Sequence, residues 1–261
     1  MTPLSTGPYF LEVSVVAKWE TLKISDGTET QAFVATPDGP GPFPGVVISQ
    51  HLAGVDQFIQ ETSVRLAEDG YVVIAPDLYH RLGAIEGEST PEKLLARLTN
   101  LTDTGVVADN NAAVDWLKAS PLSTDSIGIV GFCMGGRIVY MMAGENSAFK
   151  AAVSFYGSRT KENWGSDPRP TPFELLANAY CPILGLFGED DKDPNPEKVR
   201  ELSAELTKHG KAHEFHSYPN AAHAYMNYTN EKAYREDAAK ASWPVTLEFL
   251  ERHLSKVPAA S

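Results

Sequence analysis

The stretch Gly131-Phe132-Cys133-Met134-Gly135 constrains this chain more than any other, because of what lies on either side of it. Ser126-Ile127-Gly128-Ile129-Val130 before it is a short apolar run, rich in β-branched residues, and reads as a buried strand. Gly136-Arg137-Ile138-Val139-Tyr140-Met141-Met142 after it reads as the start of a helix. A strand that turns directly into a helix leaves no room for side chains beside the turn, and the residue at its apex is strained. Glycine, any residue, nucleophile, any residue, glycine at such a turn is a nucleophile elbow. Here the nucleophile position holds cysteine, and Gly135 and Gly136 are backbone requirements rather than chemical groups.

The rest of the chain alternates strands and helices. Residues 19–25 and 31–35 read as a hairpin around Asp26-Gly27. Strands are expected at 45–49, 71–76, 151–155, 182–187 and 214–218. Helices are expected at 57–69, within 94–119, at 197–208 and at 243–254, with a polar loop at 80–92. The segment 157–180 shows no clear period. This alternation implies an α/β fold with a mostly parallel central sheet and helices on both faces. No linker or repeat interrupts it, so residues 1–261 are expected to form one domain.

The formal charge of −12 argues against nucleic acid or an anionic membrane as a partner. No run of about 18 apolar residues is present, and the N-terminal stretch has no signal-peptide pattern. With only two cysteines, Cys133 and Cys181, a reduced cytoplasmic protein is expected. Cys181, before a proline at a strand start, reads as packing.

In open α/β sheets, functional groups gather at the carboxyl ends of strands. Three ends offer side chains in a telling order: Cys133, then Asp191 in Gly188-Glu189-Asp190-Asp191, then His223 in Tyr218-Pro219-Asn220-Ala221-Ala222-His223. Nucleophile, acid, histidine is the chain order of triads in the α/β-hydrolase fold. His223 would take and return the thiol proton, and Asp191 would orient the ring. Asp190 and Asp193 compete with Asp191, whose Gly-x-x-Asp spacing is favoured. The amides of Met134 and Leu52 are the expected oxyanion donors. His209, His213, His216 and His223 could suggest a metal, but His213 and His216 are three apart beside a strand and should face opposite ways.

On these residues the chain resembles the dienelactone hydrolases over about residues 19–254. The resemblance rests on Gly131-Phe132-Cys133-Met134-Gly135-Gly136, Ala75-Pro76-Asp77-Leu78-Tyr79 and Tyr218-Pro219-Asn220-Ala221-Ala222-His223-Ala224-Tyr225. It implies a Cys-Asp-His triad, no metal or organic cofactor, and a small-molecule ester or lactone as substrate. Two positions depart from the family pattern. Gln50-His51 stands where the family has Gln followed by Glu, which places a second imidazole in line to border the thiol pocket or to hydrogen-bond its own loop. Arg81 matches the first of two family arginines that hold a substrate carboxylate, while Asn227 occupies the place of the second.

Tyr156, Trp164 and Tyr225 are further candidates for the pocket wall, although aromatics more commonly fill cores. The expected activity is hydrolysis through a thioester, by a monomer or homodimer with no cofactor. Alternatives are acyl transfer or rearrangement of a specialised metabolite by the same triad, a ligand-binding protein that keeps the pocket, and a peroxide-sensing thiol.

Overall fold

A computed structural model describes residues 14–84 and 90–254. Eight strands form one sheet: β1 (Val15–Lys23), β2 (Glu29–Pro37), β3 (Phe43–Ser49), β4 (Val72–Pro76), β5 (Ser123–Phe132), β6 (Phe149–Phe155), β7 (Ile183–Gly188) and β8 (His213–Tyr218). Their order is β1-β2-β4-β3-β5-β6-β7-β8, with β1/β2 and β2/β4 antiparallel and every other pair parallel. This is the mostly parallel α/β sheet expected of the α/β-hydrolase fold.

The strands are apolar on both faces because helices cover both. Along β3, Val46 and Ile48 enter one apolar cluster and Val47 the other; along β4, Val73 and Ala75 oppose Val72 and Ile74. Helices α1 (Gln57–Glu68) and α7 (Glu236–His253) pack on one face. Helices α2 (Pro91–Leu98), α3 (Asp103–Ala119), α4 (Met134–Glu145) and α6 (Pro196–Lys208) supply the other face, with short α5 (Pro172–Leu175) between β6 and β7. Cys133 packs against both clusters, so it stands where the sheet's two faces meet at its carboxyl edge. Among the described residues, no helix is long and apolar enough to cross a membrane.

Three boundaries differ from expectation. The 94–119 period divides into α2 and α3, because the Thr102 hydroxyl accepts the Gly105 N–H and starts a new helix. The last helix begins at Glu236, not Trp243, and Pro244 sits inside it, after a turn that buries Ala238, Ala239 and Ser242. Within the expected 80–92 loop, residues His80–Leu82 form one 3₁₀ turn and residues 85–89 lie outside the described ones.

Chain connectivity reverses at β3. From it the chain crosses to β4 on one side and then to β5 on the other, so the ends of β3 and β5 flank a topological switch point. Segments 50–54 and 131–136 meet there.

Candidate active site

Cys133 adopts φ 56° and ψ −113°, a region costing roughly 1–3 kcal/mol for a residue with a Cβ. Packing enforces it. A Cβ on Gly131 would lie 2.1 Å from the Gly135 carbonyl oxygen, and one on Gly135 would lie 2.0 Å from that of Ser49. The Cys133 N–H donates to the Phe155 carbonyl at 3.0 Å, and the Arg137 N–H returns to the Cys133 carbonyl at 3.2 Å. Helix α4 therefore begins immediately after the sulfur, with its N-terminal dipole at the thiol. Its residues Met134–Gly144 are all buried, and Arg137 anchors its first turn. The Arg137 guanidinium grips buried Asp103 at 2.6 and 3.0 Å and donates to the carbonyls of Arg159 and Glu162.

The loop after β8 brings His223 to the sulfur. Its Nδ1 lies 2.9 Å from Asp191 Oδ2, and the ring sits beside the Cys133 thiol, closely enough for the two to interact. Since Nδ1 is taken by the carboxylate, Nε2 is the nitrogen left for the thiol. Burial disfavours charge on the ring. Hydrogen bonds to Asp191 and Cys133, reinforced by the negative charge of each, override that and lift His223 from 6.5 to about 10. Of the three acids in the loop after β7, it is Asp191 that reaches the imidazole. Asp190 is exposed, and Asp193 pairs with Lys198 at 2.8 Å. The other Asp191 oxygen accepts the Asp193 N–H at 2.9 Å, which fixes the carboxylate.

Across from the elbow, three contacts hold the loop after β3. Gln50, fully buried, accepts the Leu78 N–H at 3.2 Å; the Tyr79 hydroxyl donates to the Leu52 carbonyl at 2.9 Å; and the Gly54 N–H closes on the His51 carbonyl at 3.0 Å. Among the described residues, the N–H groups of Leu52 and Met134 have no protein acceptor. His51 sits in its own loop, 2.9 Å from Asp56 Oδ1 and edge-on to Phe58. That contact meets the distance of an ion pair, but its angle is too poor for a hydrogen bond, so His51 Nε2 is buried without one.

The remaining candidates divide by surroundings. Tyr156, with φ 42°, is buried with its ring 5.1 Å from that of His223 and 5.4 Å from that of Tyr225. Trp164 is buried with its ring face over the Arg137 guanidinium at 3.8 Å, a structural contact under the elbow helix. Arg81 holds buried Asp109 through both terminal nitrogens, at 2.8 and 2.9 Å, and donates to Asp26 through Nε. His80 reaches the same Asp109 at 3.1 Å. Asn227 accepts from the N–H and hydroxyl of Thr229, closing its own turn. Cys181 is buried, and desolvation pushes its thiol up to about 12. His213 is occupied by Ser203 and the Lys211 carbonyl, and no three potential ligands cluster as a metal site among the described residues.

The dienelactone hydrolase family model matches residues 30–254. The chain belongs to the dienelactone hydrolase family. It is 33% identical over 242 residues to the "Putative carboxymethylenebutenolidase" of Yersinia pestis, a match covering 92% of this chain and 90% of that one. It is 30% identical over 233 residues to the "Probable 2-oxo-3-(5-oxofuran-2-ylidene)propanoate lactonase" of Bradyrhizobium, covering 88% and 92%. The crystal structure of a "Putative Dienelactone Hydrolase" from Klebsiella pneumoniae superposes with a TM-score of 0.85 at 29% identity, covering 91% of this chain and 98% of that one. The protein is thus a dienelactone hydrolase-like enzyme of the ester- and lactone-hydrolysing type.

Proposed function

We propose that this enzyme hydrolyses a small-molecule lactone or ester through Cys133, His223 and Asp191. The observation that carries the reading is the Asp191 carboxylate bonded to His223 at 2.9 Å, with the Cys133 thiol at the strained elbow interacting with the same ring. The Cys133 thiolate adds to the carbonyl carbon, and the displaced electron pair forms an oxyanion facing the N–H groups of Leu52 and Met134. As the intermediate collapses, the C–O bond breaks and the leaving alkoxide takes the proton from the His223 imidazolium. With a lactone, this alcohol remains tethered to the acyl group.

Acylation also prepares the second half-reaction. Two of the influences that raise His223 come from Cys133, its hydrogen bond and its charge, and both vanish once the sulfur is a thioester. The neutral ring can then take a proton from water as the hydroxide attacks. Thiolate leaves, the carboxylic acid is released, and the imidazolium–thiolate pair is restored.

The pocket reads as altered around the substrate's far end. Arg81 already holds two carboxylates of the protein, and Asn227 is committed to its turn. Neither presents a free cation, so neutral lactones and esters suit this site at least as well as anionic ones.

Intact-protein mass spectrometry during turnover of neutral and anionic activated esters and lactones tests the proposal. Wild type is expected to show a transient acyl adduct, while Cys133→Ala shows none and loses at least about a thousandfold in kcat/KM. Full activity in a folded Cys133→Ala variant would refute the reading. A strong preference for the anionic panel would refute its account of the pocket.

A further inference from the structure

One hydroxyl contacts both Leu52 and Met134, the two residues whose amides have no protein acceptor among the described residues. The Tyr79 O–H donates to the Leu52 carbonyl at 2.9 Å, and the same oxygen lies 3.5 Å from the Met134 sulfur. These partners come from separate segments, 27 and 55 residues away in sequence. We propose that Tyr79 is a positioning residue that sets the spacing between the Leu52 and Met134 amides and so shapes the oxyanion hole. The inference rests on the hydrolytic reading above.

Tyr79 is built to hold a position. It is 4% exposed, so its hydroxyl would be costly to leave unbonded. Its own N–H donates to the Asp77 carboxylate at 2.8 Å. The Arg97 guanidinium lies over its ring at 4.4 Å and donates to its carbonyl at 3.3 Å. Among the described residues, Arg97 pairs with no carboxylate, so its charge is directed at Tyr79. Burial of the phenol, partly offset by Arg97, pushes its ionisation well above the usual range, so it remains a donor throughout the working pH. The adjacent Leu78 N–H is held by Gln50, so strand ends β3 and β4 are joined twice around the same loop.

The physical consequence is specific to the oxyanion. Fixing the Leu52 carbonyl limits rotation of the loop that presents the Leu52 N–H, and contact with the Met134 side chain registers that loop against the elbow. A donor misplaced by a fraction of an ångström loses much of its effect on charge that develops only in the transition state. The Tyr79 hydroxyl is engaged with Leu52 and Met134, so deleting it leaves the thiol's contact with His223 and its place at the α4 N-terminus as they were.

Tyr79→Phe keeps the ring and its stacking while deleting the hydroxyl. Three measurements separate the possible outcomes: p-nitrophenyl acetate turnover, Cys133 alkylation by iodoacetamide, and inhibition by a trifluoromethyl ketone, whose thiohemiketal carries an oxyanion. Expected are a drop of about tenfold or more in kcat/KM, carried by kcat, an equal weakening of the ketone, and an unchanged alkylation rate. Arg97→Gln, which loosens Tyr79 from outside, should move the same two readouts the same way by about threefold.

Unchanged turnover in Tyr79→Phe overturns the proposal. So does a parallel fall in alkylation and turnover, because that marks a general structural role. Should Tyr79→Phe fail to fold, Arg97→Gln decides by the same criteria. If wild type forms no acyl adduct, the hydrolytic reading fails on its own, before Tyr79 is tested.

Discussion

Around Cys133, the elbow is shaped by side chains that are missing, whereas the loop facing it is held by side chains borrowed from other segments. At Gly131 and Gly135 the limiting contacts are backbone oxygens about 2 Å from where a Cβ would sit. At 50–54 the restraints are Gln50 on Leu78, Tyr79 on Leu52 and, behind them, Arg97 on Tyr79. Main-chain crowding cannot relax without moving strand against helix, so altering the elbow should cost stability. A side-chain tether can be removed with the fold intact, so altering the loop should cost activity first.

The largest test of that contrast is Gly131→Ala. The added methyl meets the Gly135 carbonyl at 2.1 Å, with the Val139 side chain at 2.9 Å behind it. A loss of about 4 kcal/mol or more in denaturant unfolding, or failure to fold, is expected. A folded variant within about 1 kcal/mol of wild type would remove the distinction. Gln50→Leu probes the other side. It leaves the Leu78 N–H without its acceptor but also deletes a buried amide nitrogen that has no partner, so the net cost should be only about 1 kcal/mol. Ester turnover should nevertheless fall by about tenfold as the loop loosens. A large stability loss with unchanged specific activity would reverse the assignment.

The smallest effect is expected away from both, at the proton that His223 holds beside the elbow. His223 has its pKa raised in the folded protein, so its contribution to stability is complete below about 6.5 and is lost as pH rises through about 10. Its side chain is 33% exposed, and screening keeps the effect modest. Thermal unfolding of wild type should decline relative to His223→Gln across that window, and parallel curves would show that the ring gains no proton on folding.

Much of this organisation is visible in the amino-acid order. Apolar strand runs, the Gly-x-Cys-x-Gly turn and the placement of Cys133, Asp191 and His223 just after β5, β7 and β8 are local signals. They survive because a parallel sheet puts every such strand end on one edge. Helix boundaries were less visible. Thr102 starts α3 inside a continuous helical period, and α7 runs through Pro244, since tertiary burial outweighs local propensity there.

The sequence by itself determined the fold class, the strained turn at Cys133 and the type of enzyme, because these follow from spacing and from where glycine is obligatory. Only the tertiary structure decided that Asp191 rather than Asp190 or Asp193 meets His223, that Arg81 is spent on Asp109 and Asp26, that His51 turns to Asp56, and that Tyr79 joins Leu52 to Met134. Each of those depends on which side chains converge across tens of residues, and sequence spacing carries no information on distances closed by packing.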